Sequence, residues 1–408
     1  GNTAQFLWTP TLLQSGTYTV TFRVTDNGNP PLSETKPVTI TVKDVPGPSV
    51  PQSVSDDGDL LGASIATGDL NGDGVSDIAV GAPGADGANP GKVYVYFGKD
   101  ELRGAVDLTR QKADLEIAGQ AGGDQFGSSL AIADVNGDGQ NDLLVGAPGV
   151  DLGAALADAG AVYGFFGGPA LGKNVEATSA NLVATGSAAN GKAGAALAMG
   201  NFNGDDFTDL AVGAPQAHGN GAVYLILGAA GLGGVRDLSA IAAMSLAGAD
   251  DGDRFGASLA MNDFNGDGRA DLITGAPGGD GPGNSRQNAG EVAVFYGNGA
   301  PQSRPADLLV YGAGAAGDEH PDALGQNLAT GDFTGDGVAD IAMGAPGADA
   351  VDSNRLPSGA IYVLFGAHTA LTGAFDLATR SADLSVYGND AGDNIGAAVV
   401  RALYGVRR

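Results

Sequence analysis

A chain of 408 residues with a formal net charge of −27, 70 glycines and no cysteine has room for two or three domains and a substantial core. The lack of cysteine excludes a disulfide framework and thiolate zinc sites. The acidic balance argues against nucleic acid, whose phosphates need basic patches, and no apolar run reaches the roughly 18–20 residues of a membrane-inserted helix. The glycines follow no Gly-X-Y period, which excludes collagen, and few aromatics among abundant Ala, Val, Leu and Gly predict closely stacked sheets. The chain opens at Gly1 with no signal peptide and reads as a processed or excised part of a longer secreted protein.

Residues 1–45 stand apart. Gly16–Thr25 alternates β-branched and aromatic residues, a turn follows through Asp26–Pro31, and Val38–Val42 alternates again, which predicts a β-hairpin. With Phe6-Leu7-Trp8-Thr9-Pro10 it resembles the final strands of immunoglobulin-like or cadherin-like modules, so 1–45 is expected to be the C-terminal part of such a sandwich, with Trp8 and Tyr18 as core residues. Residues 46–49 (Pro46-Gly47-Pro48 among them) read as a stiff linker.

From residue 50 to 408 the chain is periodic. Asp69-Leu70-Asn71-Gly72-Asp73-Gly74-Val75-Ser76-Asp77 places oxygen-bearing side chains at positions one, three, five and nine. Glycine at position six permits a left-handed turn around one centre. Such a set suits Ca²⁺, which takes six to eight oxygens. The loop returns with first positions at 134, 201, 263 and 332, at spacings of 65, 67, 62 and 69 residues. The expected ligands, with the main-chain carbonyl of position seven as the fifth, are Asp69, Asn71, Asp73, Val75 and Asp77; Asp134, Asn136, Asp138, Gln140 and Asp142; Asn201, Asn203, Asp205, Phe207 and Asp209; Asp263, Asn265, Asp267, Arg269 and Asp271; and Asp332, Thr334, Asp336, Val338 and Asp340. Up to five Ca²⁺ are expected. Loop three, with Asn201 leading and Asp206 in place of the glycine, has fewer carboxylates and a costlier turn, and is expected to bind most weakly. An EF-hand is excluded, because position twelve is Val80 or Val145 rather than Glu and strands flank the loops.

Seven residues before each loop stands a glycine (Gly62, Gly127, Gly194, Gly256 and Gly325), usually after a bulky apolar residue such as Phe126 or Phe255. After each loop an apolar run ends in Gly-Ala-Pro, beginning at Gly81, Gly146, Gly213, Gly275 and Gly344. Two further β-rich runs complete each unit, as in Lys92–Phe97 and Asp114–Ala118, so each unit holds four strands, the content of a propeller blade. Phe126-Gly127 and Gly146-Ala147-Pro148 around such a loop resemble the FG-GAP repeats of integrin α-subunit propellers and their bacterial relatives. The resemblance implies an all-β propeller of four-stranded blades, five complete and one partial, each loop joining the first two strands of a blade and binding one Ca²⁺. The sixth unit opens at Gly392-Asp393-Asn394-Ile395-Gly396 but has Leu403 at its first metal position. Val50–Val54 is placed to supply an outer strand to that blade. The reading favours a stack cut from a longer propeller over an irregular closure.

On the face opposite the loops, two acidic series recur: Asp86, Asp151, Asp280 and Asp349 after Gly-Ala-Pro, and Asp59, Asp124, Asp253, Asp322 and Asp393 before the glycine signature, both broken in unit three. They cap turns or form an acidic surface for a basic partner. His218, His320 and His368 are scattered, and no nucleophile elbow or phosphate loop is present. The expected function is therefore non-catalytic: a secreted or cell-surface, calcium-binding propeller for adhesion, ligand binding or structure, taking a protein or carbohydrate ligand. Alternatives are an accessory domain of a secreted hydrolase or lyase, and a subunit that self-assembles through its incomplete blade.

Overall fold

The structure, a computed structural model, describes residues 16–25, 33–42, 58–85, 90–98, 113–169, 171, 174–314, 321–349, 357–390 and 392–399. Phe6–Pro10 with Trp8, the Tyr18 side chain, the Asp26–Pro31 turn, residues 46–54, Asp86, His320 and Leu403 lie outside the described residues. The chain divides between Val54 and Ser55 into two compact units.

In the first unit, β1 (Gly16–Thr25) and β2 (Ser33–Val42) form an antiparallel pair in register from Gly16↔Val42 to Thr25↔Ser33. Thr17, Thr19 and Thr39 lie exposed, as period-two alternation requires of one face.

The second unit is five sheets in chain order. Blade one holds β3 (Ser64–Gly68), β4 (Asp77–Ala82), β5 (Lys92–Tyr96) and β6 (Leu115–Ala118). Blade two holds β7 (Ser129–Ala133), β8 (Asp142–Ala147) and β9 (Ala161–Phe165), then a short β10 (Asn174–Glu176) and β11 (Leu182–Thr185). Unit three gives β12 (Ala196–Gly200), β13 (Asp209–Ala214), β14 (Ala222–Ile226), β15 (Gly234–Asp237) and β16 (Met244–Ala247). Blade four comprises β17 (Ser258–Asn262), β18 (Asp271–Ala276), β19 (Glu291–Phe295) and β20 (Leu308–Tyr311). The fifth unit gives β21 (Asn327–Gly331), β22 (Asp340–Ala345), β23 (Ala360–Leu364), β24 (Gly373–Asp376) and β25 (Leu384–Tyr387). Each blade is an antiparallel meander of four strands, and the first strands of successive blades lie side by side.

One feature departs from the expected four strands. β10, β15 and β24 do not join their own blades; each pairs in parallel with the outer strand of the preceding one, β6, β11 and β20 respectively. Blade three receives no such strand: Ser303, from the unit that follows, instead accepts the N–H of Ser245 in β16 through its hydroxyl and donates to the Ser245 carbonyl.

Four apolar clusters fill the four seams between blades, built from residues such as Val95 with Phe126, Leu144 with Val212, Leu246 with Phe295, and Val294 with Met343. Strands β8, β13, β18 and β22 are buried along their whole length, so both faces are apolar. The end sheets expose Ile65 and Ile78 in blade one and Leu384 and Val386 in blade five.

The Gly-Ala-Pro glycine sits where the seam is tightest. A Cβ on Gly81, Gly146, Gly213, Gly275 or Gly344 would clash with the carbonyl oxygen of the next signature glycine, Gly127, Gly194, Gly256, Gly325 or Gly396. Ser64, Ser129 and Ser258 each donate their hydroxyl to that carbonyl, at 2.6, 2.7 and 2.6 Å. Ala196 occupies this position in blade three. The opening of the sixth unit packs on blade five in the same manner, with Gly359 bridged to Ile395.

Candidate metal centres

Each nine-residue loop joins the first two strands of its blade, as between β3 and β4, and position nine begins the second strand. The turn is shaped by short oxygen-bearing side chains bonding to their own backbone. In loop one, Asp69 accepts the N–H groups of Gly72 (2.8 Å) and Gly74 (2.7 Å), Asn71 accepts that of Asp73 (2.8 Å), and Asp73 that of Val75 (2.8 Å). Loops two, four and five repeat the bond from the position-six glycine to the leading aspartate, at 2.8, 2.7 and 2.9 Å. Those glycines are left-handed, with φ from 83° to 88°.

Loop three differs, and not in the way expected. Asp206 is absent from the residues with positive φ, so the loop takes another backbone path and does not hold an aspartate in a strained left-handed turn. Asn201 accepts the Gly204 N–H at 2.7 Å and donates its amide to the Asp205 carbonyl. The Arg269 guanidinium of loop four lies over Gly204, adding positive charge beside the loop with the fewest carboxylates.

The position-nine aspartates have a structural task that spacing alone did not reveal. All five are fully buried. One oxygen accepts the position-two N–H, as from Leu70 to Asp77 at 2.8 Å, and the other accepts a glycine N–H beyond the third strand: Gly98, Gly167, Gly228, Gly297 and Gly366 at 2.8, 3.1, 3.0, 2.8 and 2.9 Å. Burial, only partly offset by these donors, raises the pKa of all five, that of Asp142 to about 6 and of Asp271 to about 7. A nearby cation acts in the opposite direction. Asp332, at the exposed lead of loop five, is lowered by the N–H donors of Gly337 and its neighbours.

Among the described residues no group of three or more His, Cys, Asp or Glu side chains is arranged to hold a metal ion by itself. The loops offer a mixed set instead: carboxylates, an Asn or Thr oxygen, and the position-seven carbonyl. All are hard oxygen donors of the type calcium takes, and a carboxylate oxygen that accepts one N–H keeps a lone pair for a second partner. The donor chemistry therefore fits Ca²⁺ in loops one, two, four and five better than in loop three.

Neighbouring loops meet along one rim, where the Phe207 ring of loop three lies against Gly137 of loop two and hydrogen bonds tie the other pairs. The Asn141 side chain donates to the Asp69 carbonyl at 3.1 Å, and the N–H groups of Ala270 and Ala339 donate to the carbonyls of Asn201 and Asp263, both at 2.9 Å. On the opposite face the acidic series cap turns. Asp151 accepts the Asp158 N–H and Asp280 that of Asn288, at 2.7 and 2.8 Å, while Asp124 and Asp253 accept those of Ala121 and Asp250 at 2.9 and 2.8 Å.

The glycine signature, the loop and the first three strands recur as one unit, and the FG-GAP repeat family matches at residues 61–96, 126–165, 193–226, 255–295 and 324–364. The chain carries five FG-GAP repeats. Each match runs from the signature glycine's neighbour to the end of the third strand, so the FG-GAP unit includes the nine-residue loop and excludes the fourth strand and the strand donated backward. Among curated relatives, this FG-GAP chain is 38% identical over 165 residues to the human phosphatidylinositol-glycan-specific phospholipase D, covering 40% of the chain and 19% of that protein. It is 33% identical over 246 residues to integrin alpha pat-2 of Caenorhabditis elegans, covering 54% and 18%. To integrin alpha-PS2 of Drosophila melanogaster it is 38% identical over 185 residues, covering 43% and 12%. The chain thus spans less than a fifth of the length of these relatives. No helix among the described residues is long and apolar enough to cross a membrane.

Proposed function

We propose that this chain is a calcium-stabilised, extracellular FG-GAP propeller that serves adhesion by binding a protein or carbohydrate ligand, and that it performs no catalysis itself. The observation that carries the calcium reading is the recurrence of one oxygen-donor loop at the same place in five blades, joined edge to edge into a rim. Cations there would offset the charge that four carboxylate-rich loops concentrate on one face. The relation to integrin alpha chains supports the adhesive, cell-surface setting. Calorimetric titration of the chelated protein with Ca²⁺ tests the reading: binding at several sites and a raised thermal midpoint are expected, and an unchanged midpoint after exhaustive chelation would refute it.

A second reading is favoured by the match to a phospholipase D: the propeller is the accessory domain of a secreted hydrolase, positioning a catalytic domain encoded in the same gene. The full-length gene separates the two. A hydrolase domain beside the propeller supports the second, and further sandwich modules or a surface anchor support the first.

A further inference from the structure

The third strands of the blades read Lys92-Val93-Tyr94-Val95-Tyr96, Ala161-Val162-Tyr163-Gly164-Phe165, Ala222-Val223-Tyr224-Leu225-Ile226, Glu291-Val292-Ala293-Val294-Phe295 and Ala360-Ile361-Tyr362-Val363-Leu364. Four carry tyrosine in the middle; blade four alone carries alanine, Ala293. Blade four alone also begins the strand with an acid, Glu291. Across the register from Ala293 stands Thr274, where the other second strands have Val80, Val145, Val212 or Met343. The Thr274 hydroxyl is fully buried and has no hydrogen-bond partner.

These changes fall on the face of blade four that meets blade three, the one seam whose preceding blade receives no donated strand. Two elements that fill the corresponding space in other seams are Leu238 after β15 and Phe375 of β24, both buried. In unit four the link between the third and fourth strands spans only 296–307, against 227–243 in unit three and 365–383 in unit five, too short to supply both a strand and a turn. The Ser-to-carbonyl bond of the other seams is also missing, because of Ala196. The result is a pocket of about 390 Å³, a size ordinary for small-molecule sites.

The pocket is apolar along Leu246, Phe255, Ala293 and Leu309, and acidic at the end where Glu291 and Asp253 stand. Glu291 accepts the Gly281 N–H, and the charges around it are those of Asp253, Asp250 and Asp280; burial and these neighbours raise its pKa to about 7. No basic side chain among the described residues pairs with it. At the other end Arg304 is held by Asp307 and the Tyr296 carbonyl, with its Nε unpartnered. From Glu291 to Ala293 the strand rises about 7 Å, the reach of a four-carbon chain with its head group.

We propose that the seam between blades three and four binds an organic cation on an aliphatic stem, an ammonium or guanidinium group, with Glu291 and Asp253 receiving the charge and the stem lying over Ala293. A half-buried carboxylate beside the buried Asp253 and other acids calls for a positive partner, and a hole the width of a missing tyrosine ring accepts the methylenes. The cation is either a free alkyl amine or guanidine, or the end of a lysine or arginine side chain of another protein. The site lies at the strand ends away from the calcium-type loops and is independent of their occupancy.

The test is isothermal titration of the whole chain in millimolar calcium at fixed ionic strength. The probes are n-butylammonium, n-butylguanidinium, a Gly-Gly-Lys-Gly-Gly peptide blocked at both ends, and neutral 1-pentanol. Saturable binding of at least one cation is expected, with pentanol weaker by about tenfold or more. Glu291→Gln should weaken the cation by about tenfold. Ala293→Tyr, which restores the residue of the other four blades, should abolish binding while the thermal midpoint is kept. Binding of the small cations without the peptide assigns a free amine or guanidine, and binding of the peptide assigns a protein side chain. Absence of saturable binding by every cation, pentanol binding as tightly as they do, or undiminished binding in both variants would overturn the proposal.

Discussion

Asp271 reaches across blade four to Gly297, accepting its N–H at 2.8 Å while its second oxygen takes the N–H of Phe264 at 2.9 Å. The carboxylate is fully buried and also accepts the Asn265 N–H at 3.2 Å, so removing it strands three main-chain donors away from water. Asp271→Ala should cost roughly 2–5 kcal/mol even in chelator, since each buried unpaired group costs about 1–3 kcal/mol. Urea unfolding in excess chelator checks this. Asp69→Ala, at an exposed loop position, should lose most of its effect under the same condition, which separates the architectural role of position nine from metal binding.

The tight seams predict a penalty for one methyl group. Gly146→Ala places a Cβ against the Gly194 carbonyl, and the neighbour is backbone, which cannot swing aside. Destabilisation of about 1–3 kcal/mol is expected, read as a lowered urea midpoint.

Blade three lacks the serine hydroxyl that bonds its neighbours' seams. Ala196→Ser should restore a bond to the Gly256 carbonyl and stabilise the chain by about 1 kcal/mol. The converse change, Ser258→Ala, removes the 2.6 Å bond to Gly325 and should destabilise by a similar amount, about 1 kcal/mol. Thermal midpoints of the two variants should move in opposite directions.

Loop three should be the poorest calcium site, for its two carboxylates and for Arg269 lying over Gly204. The double variant Asn201→Asp, Asp206→Gly is expected to add one equivalent of bound calcium, measured by titration of the chelated protein.

Glu291 sets a pH dependence. Its folded pKa is raised from 4.5 to about 7, so the folded state prefers the protonated form. That contribution is fully present below pH 4.5 and is lost as pH rises through about 7. Glu291→Gln should therefore remove part of the decline in stability across that window. The difference between the urea midpoints of wild type and variant, followed with pH, isolates this group from the buried aspartates.

Much of this architecture was legible in the sequence, because a propeller writes its period into glycines and acids that local turns demand. Gly74 and Asp69 announce the loop through contacts within nine residues, and alternation in Lys92–Tyr96 announces a strand. What escaped is non-local. The partner of Asp271 lies 26 residues onward, at a glycine with no distinguishing neighbour. The donated strand Asn174–Glu176 is three residues long and pairs with a strand of the preceding unit, so no periodicity could mark it. Asp206 implies strain only if the loop keeps the shape of the others; the backbone takes another path instead. The pocket, by contrast, had a visible signal in Ala293, the one break in a column of tyrosines, which emerges when the repeats are aligned to one another.

The strand that units two, three and five hand backward gives synthesis a direction. Blades one, two and four keep an open edge until the next unit has been made far enough to cover it, so their completion lags by one repeat. Between blades three and four that latch is a single serine, Ser303, and among the described residues β16 keeps an outer edge with no further strand beside it.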